Sequence, residues 1–170
     1  MPAVRFNDIE GLEDPVRVRQ AIVDGTNYFY ALNRLPLEVE MELSIEPPAA
    51  TVDLASGTSA AETGCLALTL RPYDLRAFRA AGPSSVAGGS ARIPDGFLAE
   101  LTGRLAEAAQ RAAGEPPGSD ALVYLARARE LLEQGQYARA YFMLQEDWAT
   151  ERSAPSRMQS KAQKERAKKK

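Results

Sequence analysis

The sequence predicts an α+β fold: an N-terminal helix, a small mainly antiparallel sheet, three C-terminal helices that include a helical hairpin, and a basic disordered tail. Three observations carry that expectation. Leu37, Val39, Met41, Leu43 and Ile45 alternate with Glu38, Glu40, Glu42, Ser44 and Glu46, the two-residue period of a strand with one buried face. Ala121, Leu125, Ala128 and Leu132 recur at helical spacing and make one apolar stripe. Helical patterns also cluster at the two ends of the chain with strand patterns between them, and such segregation favours α+β over an alternating arrangement with a parallel sheet. Residues 1–154 are expected to form a single α+β domain and residues 155–170 a disordered tail.

In chain order, Asp14 followed by Pro15 reads as a helix cap with proline at the first helical position. The helix is expected to run to about Arg34, with Val18, Ile22, Gly25, Phe29 and Leu32 on one face and Tyr28 and Tyr30 flanking it. The strand 37–46 follows. Its glutamates could serve as hard-metal ligands. Neighbours on one face of a strand lie about 7 Å apart in one plane, poor geometry for encircling an ion, so a solvated outer face that also blocks edge-to-edge association is the better reading. Pro47 and Pro48 are expected to end this strand, Thr51 to Ala55 to add a short one, and Ser56 to Gly64 to be a polar loop.

Alternation resumes from Cys65 to Arg71, with Leu66, Leu68 and Leu70 on one face. Cys65 reads as a packed residue, because no histidine or lysine before the tail could hold a thiolate beside it. Pro72 to Asp74 reads as a turn, and Leu75 to Arg79 is open between strand and helical turn. Residues 83–90 read as a long, mobile Gly/Ser-rich loop. Gly88 and Gly89 lack the flanking residues of a phosphate-binding loop. Asp95 is expected to cap a helix bearing Leu98, Leu101, Leu105, Ala108 and Ala112, with Glu100 and Arg104 paired one turn apart. The hairpin comes next: Ser119 or Asp120 caps its first helix, Gly135 ends it, and Tyr137, Ala140, Tyr141, Leu144 and Trp148 line the second. Five of the twelve aromatics lie between Tyr124 and Trp148, so the hairpin is expected to supply much of the core.

Composition prunes the chemistry. The chain has 170 residues, 45% hydrophobic and 26% charged, an ordinary globular composition. Its apolar runs fall short of the roughly 20 residues of a membrane span, and its first residues show neither a basic region nor an apolar signal segment. No membrane association and a cytoplasmic location are the expectation. One cysteine and no histidine exclude serine-histidine and cysteine-histidine catalysis, intramolecular disulfides and histidine-ligated metals. No cofactor, metal or catalytic residue is expected. Charge is uneven: residues 155–170 carry seven cations and one anion, so against a whole-chain charge of −2 the body carries −8. All five lysines lie in that tail. Arginine- and alanine-rich usage suggests a bacterial origin.

Two resemblances add to this. Tyr124, Ala128, Leu131, Gly135, Tyr137, Ala140 and Leu144 place large and small residues much as one tetratricopeptide-repeat hairpin does, so residues 120–154 resemble such a unit. It has no second copy at a 34-residue offset. Element order, with Leu66-Ala67-Leu68, Phe78-Arg79-Ala80 and Tyr137-Ala138-Arg139 followed by Trp148, resembles ribosome-inactivating N-glycosidases. Their signature helix has a glutamate three positions before its arginine; here that position is Gln136.

The sequence thus reads as a non-enzymatic binding or adaptor protein that engages a protein partner, with RNA or another polyanion as a partner of the tail. Candidate binding residues are Tyr137, Tyr141 and Trp148 on the hairpin and Lys161, Lys164, Arg166, Lys168, Lys169 and Lys170 in the tail. The alternative, which the second resemblance implies, is an enzyme or enzyme relative that acts on nucleic acid.

Overall fold

The computed structural model describes residues 4–145. Trp148 and the tail cations therefore lie outside the described residues. Within them the elements are β1 (Asn7–Asp8), β2 (Val16–Val23), β3 (Thr26–Asn33), β4 (Val39–Asp53), β5 (Ser59–Leu70), β6 (Leu75–Ala80), β7 (Ser85–Arg92), α1 (Asp95–Arg111), α2 (Asp120–Glu133) and α3 (Tyr137–Gln145). All strand pairings among the described residues are antiparallel, in the order β1-β2-β3-β6-β4-β5 with β7 also on β4. The α+β class stands, with the sheet dominant. No helix among the described residues is long and apolar enough to cross a membrane.

The expected N-terminal helix is instead the hairpin β2–β3, paired from Val16 opposite Asn33 to Val23 opposite Thr26. Its turn is Asp24-Gly25, with φ of 49° and 74°. Positive φ at both central residues gives a two-residue turn whose twist matches that of the flanking strands, and Asp-Gly is among the pairs that enter it most readily. The flanks are rich in β-branched and aromatic residues, which pack well on a pleated surface. The helical stripe dissolves accordingly: Val18 and Phe29 are buried, but Ile22 is 60% exposed.

Three further expectations are corrected in the middle of the chain. Pro47 and Pro48 do not end a strand but lie within β4, where its register against β5 shifts between Ser44 and Ala49. Proline is tolerated there because a bulge needs no ladder donor at that point. Residues 59–64, expected as loop, open β5, and residues 85–90, also expected as loop, belong to β7. The open choice at 75–79 resolves as strand β6. Strand β4 is flanked on one side by β5 and on the other first by β7 (Glu40 to Glu46) and then by β6 (Thr51 to Asp53), so it is interior and its glutamates guard no edge.

β6 and β7 take successive stretches of one β4 edge, and the shift of partner coincides with the Pro47-Pro48 irregularity. Strands that change partner at a bulge form the corners of folded-over sheets. A side-chain amide closes this corner: Gln20 of β2 accepts from the Val86 amide of β7 at 2.9 Å and donates to its carbonyl at 3.2 Å. Within β7, a Cβ added to Gly89 would stand 2.4 Å from the Glu42 carbonyl oxygen, so glycine admits the close approach of the two backbones. Gly89→Ala should cost about 1 to 3 kcal/mol by overpacking, whereas Gly88→Ala, whose Cβ meets nothing within 4 Å, should melt close to the parent. Thermal unfolding of the two variants side by side checks this.

The inner face buries Val16, Val18, Phe29, Ala31, Val39, Met41, Leu43, Ile45, Leu66, Leu68, Leu70 and Phe78 in one cluster, which Phe97 and Leu101 of α1 and Ala138 and Tyr141 of α3 join. A smaller cluster of Ala108, Ala112, Ala121 and Leu125 ties α1 to α2. The Ser119 hydroxyl caps α2 by accepting from the Leu122 amide, and Gly135 at φ 70° turns the chain into α3. Asp95 opens α1 without a side-chain cap bond, the cap position being Pro94. Asp14 does cap a helix, but a distant one. Its carboxylate accepts from the amides of Ala138 at 2.7 Å and Arg139 at 3.1 Å, fixing the start of α3 to the entry of β2.

Candidate binding surfaces

Of the hairpin residues expected to bind, Tyr141 is buried. Its ring packs on Phe97 at 5.5 Å and on Phe142 at 5.6 Å, and the Arg104 guanidinium lies 5.5 Å from its centroid. Its hydroxyl receives the Gln145 side-chain amide, and burial pushes its pKa up. Tyr137 is half-buried against the sheet cluster. Gln136 precedes α3, and its side-chain oxygen accepts from Arg139 Nη1 at 2.7 Å. These contacts use the tyrosine rings for packing and Gln136 for holding an arginine.

A different set of aromatics and cations shares one surface. Residues of alternate parity on β2, β3 and β6 turn away from the core, and the register places them in rows. Arg19 lies opposite Tyr30, which lies opposite Ala77; Ala21 lies opposite Tyr28, which lies opposite Arg79; Arg17 lies opposite Leu32, which lies opposite Leu75. Asp8 of β1 pairs with Arg17 at 2.8 Å and with Arg19 at 3.1 Å, and the Phe6 ring lies 5.4 Å from that of Tyr30. A hydrogen bond to Tyr30 and the nearby Asp8 carboxylate hold the Arg19 pKa above its ordinary value. Leu75 is 55% exposed at the margin. The sequence places Tyr28 and Tyr30 only at the flank of a helical stripe and singles out neither Arg17 nor Arg19 nor Arg79 for binding. The signal was present as alternation on both sides of Asp24-Gly25.

The outer face of β7–β4–β5 is acidic. Glu40 lies opposite Thr69 and Arg92, and Glu42 opposite Ala67 and Ser90; together these six line a shallow concavity. The Arg92 guanidinium stands 4.0 Å from Glu40 in an open, solvated pair. No group of three acidic or thiol side chains able to hold a metal occurs among the described residues. Cys65, expected to be packed, is exposed here.

A third polar group lies at the end of the inner face. The Asp53 Oδ2 accepts from Arg76 Nε at 3.0 Å and Nη2 at 2.6 Å, while Oδ1 accepts from the Ala55 and Ser56 amides. The Arg76 guanidinium and those amides hold the Asp53 carboxyl below the usual range. Oδ1 thus closes the β4–β5 turn while Oδ2 ties that turn to Arg76 of β6, so the carboxylate acts as a structural clasp.

No family model and no curated protein matches this chain. Among solved structures it is similar to AmyP in complex with maltose, at 21% identity and a TM-score of 0.41 over 48% of this chain and 17% of that one. It is also similar to alpha-galactosidase I from Mortierella vinacea, at 11% identity and a TM-score of 0.41 over 48% of this chain and 24% of that one. The chain thus spans under a quarter of the length of these two structures, and similarity of this degree assigns no activity.

Proposed function

We propose that this chain is a non-enzymatic binding module, an adaptor that engages a protein partner through the outward face of β1–β2–β3–β6. The observation that carries the reading is the cross-strand pairing of Arg19 with Tyr30 and of Arg79 with Tyr28 in adjacent rows. Tyrosine and arginine dominate the energetics of protein interfaces because each brings a large contact area together with directional hydrogen bonding. Here a sheet holds them, and the Asp8 and Phe6 contacts already order two of them, which lowers the entropy lost on binding. Apolar Leu32 and Leu75 adjoin the rows, as interface cores require.

A photo-activatable phenylalanine analogue placed at Tyr28 should give a discrete protein adduct in native cells. The same group at Val123, 62% exposed on α2, should give none. Arg79→Glu should remove most of the Tyr28 adduct. Equal adducts at both positions, or a Tyr28 adduct that nuclease destroys, would refute a protein-binding face.

The tail supports a second partner, RNA or another polyanion. Seven cations that displace counterions from a single strand give a slope of log K against log salt of about −5. Deleting residues 155–170 should flatten that slope, because the remaining body carries −8. An unchanged slope would leave the tail no part in binding.

A further inference from the structure

We propose that the free edge of β5 is a docking rail on which an extended, basic segment of a partner protein adds as a further strand. Among the described residues β5 pairs with β4 alone, so its other edge carries no strand. The direction of its backbone groups follows from Thr63. The Cys65 amide donates to the Thr63 hydroxyl at 3.1 Å, and that hydroxyl donates to the Cys65 carbonyl at 3.1 Å. Both Cys65 groups therefore turn away from β4. In an antiparallel strand the N–H and C=O of one residue point to the same side and alternate from residue to residue, so Ala67 and Thr69 present theirs to the open edge as well.

Natural edges block such addition with charge, proline or brevity. Strand β5 has twelve residues, no proline, and Glu62 as its single charge. Its outward side chains over the rail are Cys65, Ala67 and Thr69, all small and exposed. Next to them stand Glu42, opposite Ala67, and Glu40, opposite Thr69, both exposed on the acidic concavity. A strand laid along β5 would place its alternate side chains about two strand spacings, or roughly 10 Å, from these carboxylates. Short side chains would stop over Ala67 and Thr69. Lysine and arginine are long enough to cross them and meet the glutamates, which selects a basic occupant.

Titrating the full chain with a fluorescent peptide of about ten residues that alternates valine with lysine tests this, with a valine–glutamate peptide as the control. The lysine peptide should bind and the glutamate peptide should not. Ala67→Pro removes an edge-facing donor without touching the β4 ladder, so the variant should melt like the parent yet bind about tenfold more weakly, the worth of one or two hydrogen bonds. Glu40→Gln with Glu42→Gln should weaken binding and flatten its salt dependence. A lysine peptide N-methylated at alternate residues reads the same ladder with the protein unaltered, and it should bind as weakly. Full affinity for the N-methylated peptide, or for Ala67→Pro with an unchanged melt, would overturn strand addition and leave only charge attraction. Equal binding of the glutamate peptide would overturn the basic occupant. A dimer in sedimentation that the lysine peptide fails to dissociate would assign the edge to a second copy instead.

Discussion

Tyr141→Ala is expected to lower the free energy of unfolding by about 3 to 5 kcal/mol, the range for truncating a buried aromatic. The ring is 6% exposed and sits where α3 meets α1 and the sheet cluster. Three losses combine. Apolar area returns to water, the tilted contact with Phe97 and the Arg104 guanidinium over the ring disappear, and a cavity opens at the junction of three elements. Tyr141→Phe keeps the ring and deletes only the hydroxyl that Gln145 meets, so it should cost about 0.5 to 1.5 kcal/mol. Phe142→Ala, at a neighbouring but 40% exposed position, should cost less than Tyr141→Ala. Urea denaturation of the three variants checks the order. A native-like midpoint for Tyr141→Ala would mean that the ring does not support the core and would return it to the set of binding residues. Since domains are stable by only about 5 to 15 kcal/mol, the expected loss would leave a marginal fold.

The parts of this fold that were legible in the sequence are those where one periodicity stands alone. Leu37 to Glu46 alternates without interruption and forms a strand from Val39 with one buried face, though it runs on to Asp53, and Ala121 to Leu132 follows a helical stripe with a cap at each end and forms a helix. The hairpin of residues 16–33 carries two periodicities at once: Val18, Ile22, Phe29 and Leu32 satisfy the helical spacing while Val16, Val18, Phe29 and Ala31 satisfy the strand spacing. Asp24-Gly25 decides between them, since two positive-φ residues in succession end a helix and make a hairpin. The glycine-rich β7 is hidden for a different reason. Gly88 and Gly89 look like a loop in isolation, and only the passage of β4 within reach of a Cβ makes a glycine at 89 necessary. That fact is tertiary, and no local pattern contains it. The proposed binding face is hidden for the same reason: by sequence Tyr28 and Tyr30 only flank a helical stripe, and their joining with Arg17, Arg19 and Arg79 depends on the register of three strands.

Asp14 illustrates the same divide, and its removal is the second large effect expected. By sequence a carboxylate before proline reads as the cap of a helix that follows it. It caps α3, more than 120 residues away, with two amide hydrogen bonds and an Arg34 contact at 3.2 Å. The side chain is 4% exposed. Asp14→Ala would strip two charge-assisted bonds from the first turn of α3 and leave the Ala138 and Arg139 amides without that acceptor, at a cost on the order of 3 kcal/mol. The pH dependence has a definite sign. Burial raises the Asp14 pKa above its ordinary value, against the opposing effects of the Ala138 and Arg139 amides and of the Arg34 and Arg139 guanidiniums. A raised pKa means that the folded state holds the proton more tightly than the unfolded chain. Stability owed to this group is therefore fully present below the ordinary aspartate value and is lost as pH rises through the raised one. The asparagine of an Asp14→Asn variant does not titrate and keeps one acceptor for the Ala138 amide. The stability of the parent relative to Asp14→Asn should thus fall as pH rises across that window and level off above it, where Asp14 is charged in both states. Urea midpoints of the pair measured from acid to neutral pH check the trend, and a difference that grew with pH would mean that the amides, not burial, govern this carboxylate.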